Sequence, residues 1–191
     1  MFVRSIRSAV SLLIAMTILL GIAYPLLITG IAKLAFPRQA EGSLLHADGK
    51  LIGSTLIGQS FSDPKYFWGR PSATSPQPYN GSASGASNLG PLNPALLDAV
   101  KANAKALHDA DPDNQQPIPV DLVTASGSGL DPEISIAAAQ YQAARIARAR
   151  NLAVERVEAL INAHQEGRLF GFIGERRVNV LTLNLALDRM K

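Results

Sequence analysis

Cysteine is absent from the 191-residue chain, which excludes disulfides, thiol nucleophiles and cysteine-based zinc sites outright. Histidine is scarce. His46, His108 and His164 stand far apart and lack HxxxH or HExxH spacing, so they read as solvated side chains and we expect no metal. Aromatic residues make up only 6% of the chain and are not interleaved with a basic stripe, which argues against nucleic-acid binding. An excess of one charge is also missing once the formal +3 is partitioned. Arg4, Arg7 and Lys33 lie in a stretch with no acid, leaving 15 basic and 15 acidic residues beyond it. Long apolar runs are missing too, with one exception.

That exception is the uncharged run over residues 8–32, entered by Arg4 and Arg7 and left through Lys33. As a helix it spans about 38 Å, more than the ~30 Å hydrocarbon core of a bilayer. A cleaved secretory signal has an apolar region of only about 7–15 residues, so residues 1–35 are expected to be a retained transmembrane anchor. Pro25 predicts a kink, tolerated in lipid where neighbouring groups re-satisfy the freed carbonyl. Small residues four apart, Ser11 with Ala15 and Thr17 with Gly21, would let a partner helix approach closely, although such spacings also recur by chance in apolar helices. Flanking charge is nearly balanced: Arg4, Arg7 and the amino terminus oppose Lys33, Arg38 and Lys50, a weak tilt toward the N-terminus inside.

Residues 36–191 suffice for one domain. Up to about Asn93 this part is rich in Gly, Pro and Ser and reads as short strands and ordered loops. Leu51-Ile52 and Leu56-Ile57 suggest two strands about a turn at Gly53-Ser54-Thr55, with Gly58 free to take positive φ. Residues 82–91 resemble a linker, yet Tyr66, Phe67, Trp68 and Tyr79 cluster just before them, and aromatics seldom decorate disordered spacers. Asn93-Pro94 caps a helix with Leu96, Leu97, Val100, Ala104 and Leu107 as its apolar stripe, stopping at Asp111-Pro112. Asp131-Pro132-Glu133 repeats the cap and opens a helix carrying Ile134, Ala138 and Tyr141 on one face, with Arg145 and Arg148 in its last turns. A third helix covers about Ala153 to His164, with Val154, Val157, Leu160 and Ile161 inward. Residues 178–189 alternate like a strand but have helical composition and a cap in Asn179; we read a helix. The expected fold is α+β: one N-terminal transmembrane helix, then a single domain with short strands and three to four helices.

Chemistry is sparse. The segment Ala125-Ser126-Gly127-Ser128-Gly129-Leu130-Asp131 is glycine-rich and reads into a helix, the setting in which backbone amides cradle phosphate. It lacks the Lys-Ser/Thr ending of a phosphate loop and the G-x-G-x-x-G spacing, so a tight loop delivering Asp131 as a cap is the plainer reading. Neither Ser126 nor Ser128 lies in G-x-S-x-G, and no histidine is near. Asp109, Asp111 and Asp113 read as a solvated turn, without the glycine and closing glutamate of a calcium loop. Arg145, Arg148 and Arg150 suit either an acidic partner or a solvated helix face. Asn80-Gly81-Ser82 matches a glycosylation sequon, a pattern common by chance. No catalytic constellation is present, and the specific polar, aromatic and glycine-bearing loops suggest a surface for another protein. The rival reading is a membrane-tethered enzyme or cell-wall binding module acting alone.

Ordered motifs along nearly the whole chain carry a resemblance. They are Gly53-Ser54-Thr55-Leu56-Ile57-Gly58-Gln59-Ser60-Phe61, Tyr66-Phe67-Trp68-Gly69-Arg70-Pro71-Ser72-Ala73, and Tyr79-Asn80 with Ser84-Gly85-Ala86-Ser87-Asn88-Leu89-Gly90-Pro91. Residues 119–132 and Val178-Asn179-Val180-Leu181, running into Leu183-Asn184-Leu185-Ala186-Leu187, continue the series. Together they resemble the KdpC family, the C subunits of Kdp-type potassium-transporting P-type ATPases. Glu133 stands where that family usually has His, Ala86 where it has Gly, and Glu175-Arg176-Arg177 replaces a Glu-Pro-Arg pattern.

The resemblance implies a non-catalytic subunit of a bacterial inner-membrane complex, N-terminus cytoplasmic and bulk periplasmic. Its implied partners are a channel-like potassium-binding subunit, an ATP-hydrolysing P-type subunit and a small single-helix subunit. It further implies a catalytic chaperone that raises the pump subunit's ATP affinity, with no firmly bound cofactor and ATP met only in a ternary complex. The expected subunit contacts are Tyr66, Phe67, Arg70, Pro71, Tyr79, Asn80, Asn88 and Leu89. Within the membrane they are Ser11, Ala15, Thr17, Gly21 and Pro25. Ser126, Gly127, Ser128, Gly129 and Asp131 form the glycine-rich loop, and no residue is assigned to catalysis or metal.

Overall fold

A computed structural model of the chain describes residues 2–47 and 49–190; Met1 at the head of the expected anchor, Asp48, and Lys191 at the end of the expected domain lie outside them. The chain forms two compact units that divide between Gly53 and Ser54. The unit holding the apolar helix thus extends past residue 35.

In the first unit, helix α1 (Phe2–Ala35) is long and apolar enough to cross a membrane, and none of it is buried. Its middle contains a wider π-helical turn, Leu19–Ala23, immediately before Tyr24-Pro25. Pro25 has no N–H and its ring would strike the carbonyl four residues back, so an extra residue in the preceding turn relieves both problems. After Phe36 comes a single turn, α2 (Pro37–Ala40), and a two-stranded sheet of β1 (Leu44–Ala47) and β2 (Lys50–Ser54). The sequence placed the second strand at Leu56-Ile57 instead. There the chain turns: Leu56 N donates to Ser54 Oγ at 3.1 Å and Ile57 N to Ser54 O at 3.4 Å, satisfying the backbone locally. Gly58 does not take positive φ as expected. It is glycine for clearance, because a Cβ there would run into the Tyr79 ring and lie 2.7 Å from the Asp131 carbonyl oxygen.

The second unit is built on α3 (Pro94–Ala110), β3 (Glu133–Ser135), α4 (Ile136–Arg150), α5 (Val154–His164), β4 (Arg177–Asn179) and α6 (Val180–Asp188). Asn93 caps α3 as its sequence predicts, Oδ1 accepting from Ala95 N at 2.9 Å. Leu107 of the predicted stripe is buried, but Leu97 is 51% exposed, since it sits about 100° round the helix from Leu96. Strands β3 and β4 pair antiparallel, with Ile134 opposite Val178. The helix expected from Asp131 therefore begins later. Ser135 is its cap, Oγ accepting from Ala138 N at 3.0 Å, while residues 133–135 are drawn into the sheet by β4. The ambiguous C-terminal segment resolves into both readings: three residues of strand, then a helix capped by Asn179, whose Oδ1 accepts from Thr182 N at 3.1 Å.

The core lies between α4, α5, α6 and the β3–β4 pair. Ala138, Ala139, Ala143 and Ala147 give α4 a narrow face, and Val157 and Ile161 of α5 are fully buried. Val154 and Leu160 of the predicted α5 face are only half-buried. From α6, Leu183 and Leu187 join the core, and so do Phe67 and Val123 from outside any helix or strand. Burying such a side chain contributes about 1.5–3 kcal/mol, enough to tether the irregular chain around it.

Candidate functional site

Residues 63–72 lie against α4 and α6 without forming a strand, so their backbone groups need partners from side chains. Two buried amides supply them. Asn184 Oδ1 accepts from Phe67 N at 2.8 Å and its Nδ2 donates to Phe67 O at 3.0 Å. Gln142 Oε1 accepts from Trp68 N at 2.8 Å and its Nε2 donates to Trp68 O at 3.1 Å. Each amide thus pairs with one residue as a neighbouring strand would. Arg145, 4% exposed, donates to the carbonyls of Pro64 and Tyr66 and to Gln142 Oε1, and its guanidinium lies 4.5 Å from the Trp68 ring centre. Burial pulls this guanidinium down to about 10, leaving it fully charged at neutral pH.

A second layer couples this segment to the glycine-rich loop. Arg70 Nη1 meets Asp131 Oδ2 at 3.1 Å, and Asp131 Oδ1 accepts from Glu133 N at 3.0 Å. Ser72 Oγ donates to Gly129 O at 2.6 Å and accepts from Tyr79 N at 2.9 Å, while Tyr79 Oη donates to Arg70 O at 2.6 Å. Burial, then the charge of Asp131, push the Tyr79 hydroxyl up to about 12, so it remains a neutral donor. At Gly129, φ is +67° and a Cβ would lie 2.7 Å from the Gly85 carbonyl oxygen; both conformation and space require glycine. Gly85 N donates to Ser128 O, Ser126 N to Pro71 O and Gly58 N to Leu130 O, so the loop's backbone binds three other segments of the same unit.

The residues singled out from sequence fall into distinct groups. Phe67 is fully buried and offers no surface to a partner, correcting its place among the contact candidates. Tyr66, Arg70, Pro71, Tyr79, Asn80 and Leu89 are half-buried, and Asn88 is exposed with φ 52°. Asn80 is engaged locally, donating to Ser75 O and accepting from Ser82 N. In the glycine-rich loop, Gly129 N is taken by Ser126 Oγ and Leu130 N by Ser128 Oγ, and Gly127 is exposed. Asp131 is not a helix cap, because β3 intervenes before α4. Ser11, Ala15, Thr17, Gly21 and Pro25 all lie exposed along α1.

Arg145 and Arg150 answer to neither of their two readings, while Arg148 stays exposed, as a solvated helix face predicts. Arg148 pairs with Asp111, which is 3% exposed and so no solvated turn residue, and Arg150 pairs with Asp188 at 2.7 Å while lying 4.9 Å from the Tyr66 ring centre. Glu133 pairs with Arg177 at 2.6 Å. Sequence reasoning missed Gln142 and met Asn184 only as a member of a motif, with no role given; each is an ordinary helix residue until its distance from Phe67 and Trp68 is known. It also passed over residues 169–173, which carry four exposed large apolar side chains.

Arg70 forms a wall shared by two clefts. One, about 370 Å³, is lined by Phe61, Trp68, Tyr79, Asn103 and Leu107; the other, about 590 Å³, by Val120, Asp131, Glu133, Ile134 and Arg177. Among the described residues no cluster of His, Asp or Glu is arranged to hold a metal ion. The arrangement is one of interlocked loops presenting shaped, polar-rimmed surfaces, suited to recognition.

Comparison with known proteins agrees along nearly the full length. The family described as KdpC, K+-transporting ATPase, c chain, matches residues 6–189. A relative from Methylococcus capsulatus, named potassium-transporting ATPase KdpC subunit, is 59% identical over 189 residues, 99% of this chain and 100% of its own. Proteins of the same name from Dechloromonas aromatica and Variovorax paradoxus are 62% and 63% identical over 183 residues, 96% of this chain in each case and 96% and 95% of their own.

Proposed function

From the premise that this chain belongs to the KdpC family of potassium-transporting ATPase subunits, we propose that it is a non-catalytic subunit that stabilises assembly of a high-affinity, ATP-driven potassium uptake complex. Its α1 crosses the bacterial inner membrane, with the N-terminus cytoplasmic and the unit from Ser54 onward periplasmic. The partners are a channel-like potassium-binding subunit, a P-type ATPase subunit and a small single-helix subunit. The observation carrying this reading is α1 itself: a 34-residue helix, uncharged over residues 8–32 and without a buried residue, suits lipid and neighbouring helices around it.

A chaperone effect on ATP affinity belongs to the same proposal. A periplasmic unit does not touch cytoplasmic nucleotide, so the coupling runs through α1 and the assembled complex as a free-energy linkage between sites. Co-purification tests the assembly role. Deleting residues 1–35 is expected to abolish recovery with the P-type subunit and to abolish high-affinity potassium uptake; an intact, transporting complex after deletion would refute it. Photo-crosslinking of labelled nucleotide to the full chain alone is expected to leave residues 125–131 unmodified, whereas labelling there would restore a phosphate cradle.

A further inference from the structure

Between α5 and β4 the chain projects a narrow hairpin. Its base is bridged by Glu166 and Arg177 and its tip by Leu169 and Ile173. Four of the five tip residues are large and apolar, and all are exposed: Leu169 60%, Phe170 79%, Phe172 73% and Ile173 48%. We infer that the tip, residues 169–173, inserts into the interfacial layer of a phospholipid bilayer.

Three observations favour lipid over a protein groove. Every side chain of the tip is apolar, whereas a segment docking on a protein face needs apolar side chains on one side only; such a tip suits a fluid that receives it. Its backbone is also prepared for a place with little water. Leu169 N donates to Ile173 O, Gly171 N to Arg168 O, and the N–H groups of Phe172 and Ile173 both to Leu169 O, at 2.9–3.3 Å. Four of the five tip donors are thereby satisfied within the hairpin, which lowers the cost of carrying them into low-dielectric surroundings. The turn is made by Phe170 and Gly171, both at positive φ. Finally, the same chain carries a helix long and apolar enough to cross a membrane, which, where it is embedded, tethers the rest of the chain to lipid.

The flanking charges fit the same occupant. Arg168 and Arg176 line a recess with Gly167 and Gly171 directly behind the apolar tip, and Arg168 holds Glu175 at 2.8 Å. Basic side chains behind an apolar wedge lie level with lipid phosphates when the wedge enters about 5–10 Å. This inference rests on the reading of α1 as a membrane anchor, and the two fail separately in the following experiment.

Because the chain lacks cysteine, Phe170→Cys and Phe172→Cys each create a unique labelling site, with Leu97→Cys on α3 as the exposed reference. Full-length chain carrying an environment-sensitive fluorophore is reconstituted into vesicles of phosphatidylethanolamine and phosphatidylglycerol, with iodide equilibrated on both sides. The labels at 170 and 172 are expected to show several-fold less iodide quenching than the label at 97, together with strong quenching by doxyl-labelled lipid. Equal iodide access at all three sites overturns the inference. Protection that arises only when the other subunits are co-reconstituted also overturns it, since the tip then contacts protein. Vesicle flotation of the same preparations reports on α1 alone: a chain that floats with an iodide-accessible tip retains its anchor and loses only this inference.

Discussion

Residues 63–72 and residues 165–176 are both irregular segments bearing aromatics and glycine, and they treat those aromatics in opposite ways. In the first, Phe67 is fully buried and Trp68 and Tyr66 are covered by arginines; in the second, Phe170 and Phe172 are mostly exposed. The difference is not in hydrophobicity. It comes from the helices behind each segment, because α4 and α6 offer Gln142, Arg145 and Asn184 to satisfy the backbone of residues 64–68. The hairpin instead satisfies its own backbone. An irregular segment turns its apolar side chains inward where its neighbours supply hydrogen-bond partners along with apolar surface.

The contrast can be broken most severely at Phe67. Phe67→Ala is expected to cost about 3–5 kcal/mol, read by denaturant unfolding of the full chain in detergent, and a loss below about 1 kcal/mol would show that the segment is not part of the core. Next, Asn184→Ala strands both the N–H and the carbonyl of Phe67 and should cost about 3 kcal/mol in the same assay.

Tyr79 sharpens the comparison through pH. Its folded-state value near 12 exceeds the unfolded value of 10.0, so the folded chain holds this proton after the unfolded chain has released it. Stability should therefore fall between about pH 10 and 12. Tyr79→Phe should flatten that alkaline limb in thermal unfolding while costing about 1 kcal/mol at neutral pH for the lost bond to Arg70 O. The smallest effect is expected at the hairpin tip. Phe172→Ser should leave unfolding within about 0.5 kcal/mol of the parent chain, because a side chain 73% exposed has little to lose.

Local rules made much of the helical framework readable. Asn93 before Pro94 and Asn179 before α6 each mark a helix start from side-chain chemistry within four residues. What escaped depends on partners distant in sequence. Asp131 looks like a cap, but Arg70, 61 residues away, takes one of its oxygens while Glu133 N takes the other, and β4 converts the residues that follow into a strand. Leu56-Ile57 looked like a strand and became a turn because Ser54 captures both following amides. At the candidate site, the glycines and Tyr79 stood out by type, yet the clearance that Gly58 gives the Tyr79 ring and that Gly129 gives Thr74 and Gly85 is legible only once those distant segments are brought together. Gln142 carries no local signal at all, and Asn184 stands out only within a motif whose use its neighbours in sequence do not show.

The π-helical turn at Leu19–Ala23 changes what α1 can offer to its surroundings. One residue beyond the regular repeat rotates everything downstream by about 100° relative to an unbroken helix. A stripe of small residues followed at four-residue steps through Ser11 and Ala15 therefore does not continue straight into Tyr24–Ala35. The span presents two separately aimed faces, one in each half, so its amino-terminal and carboxy-terminal halves can each address a different neighbour. A single straight helix of the same length would commit both halves to one side.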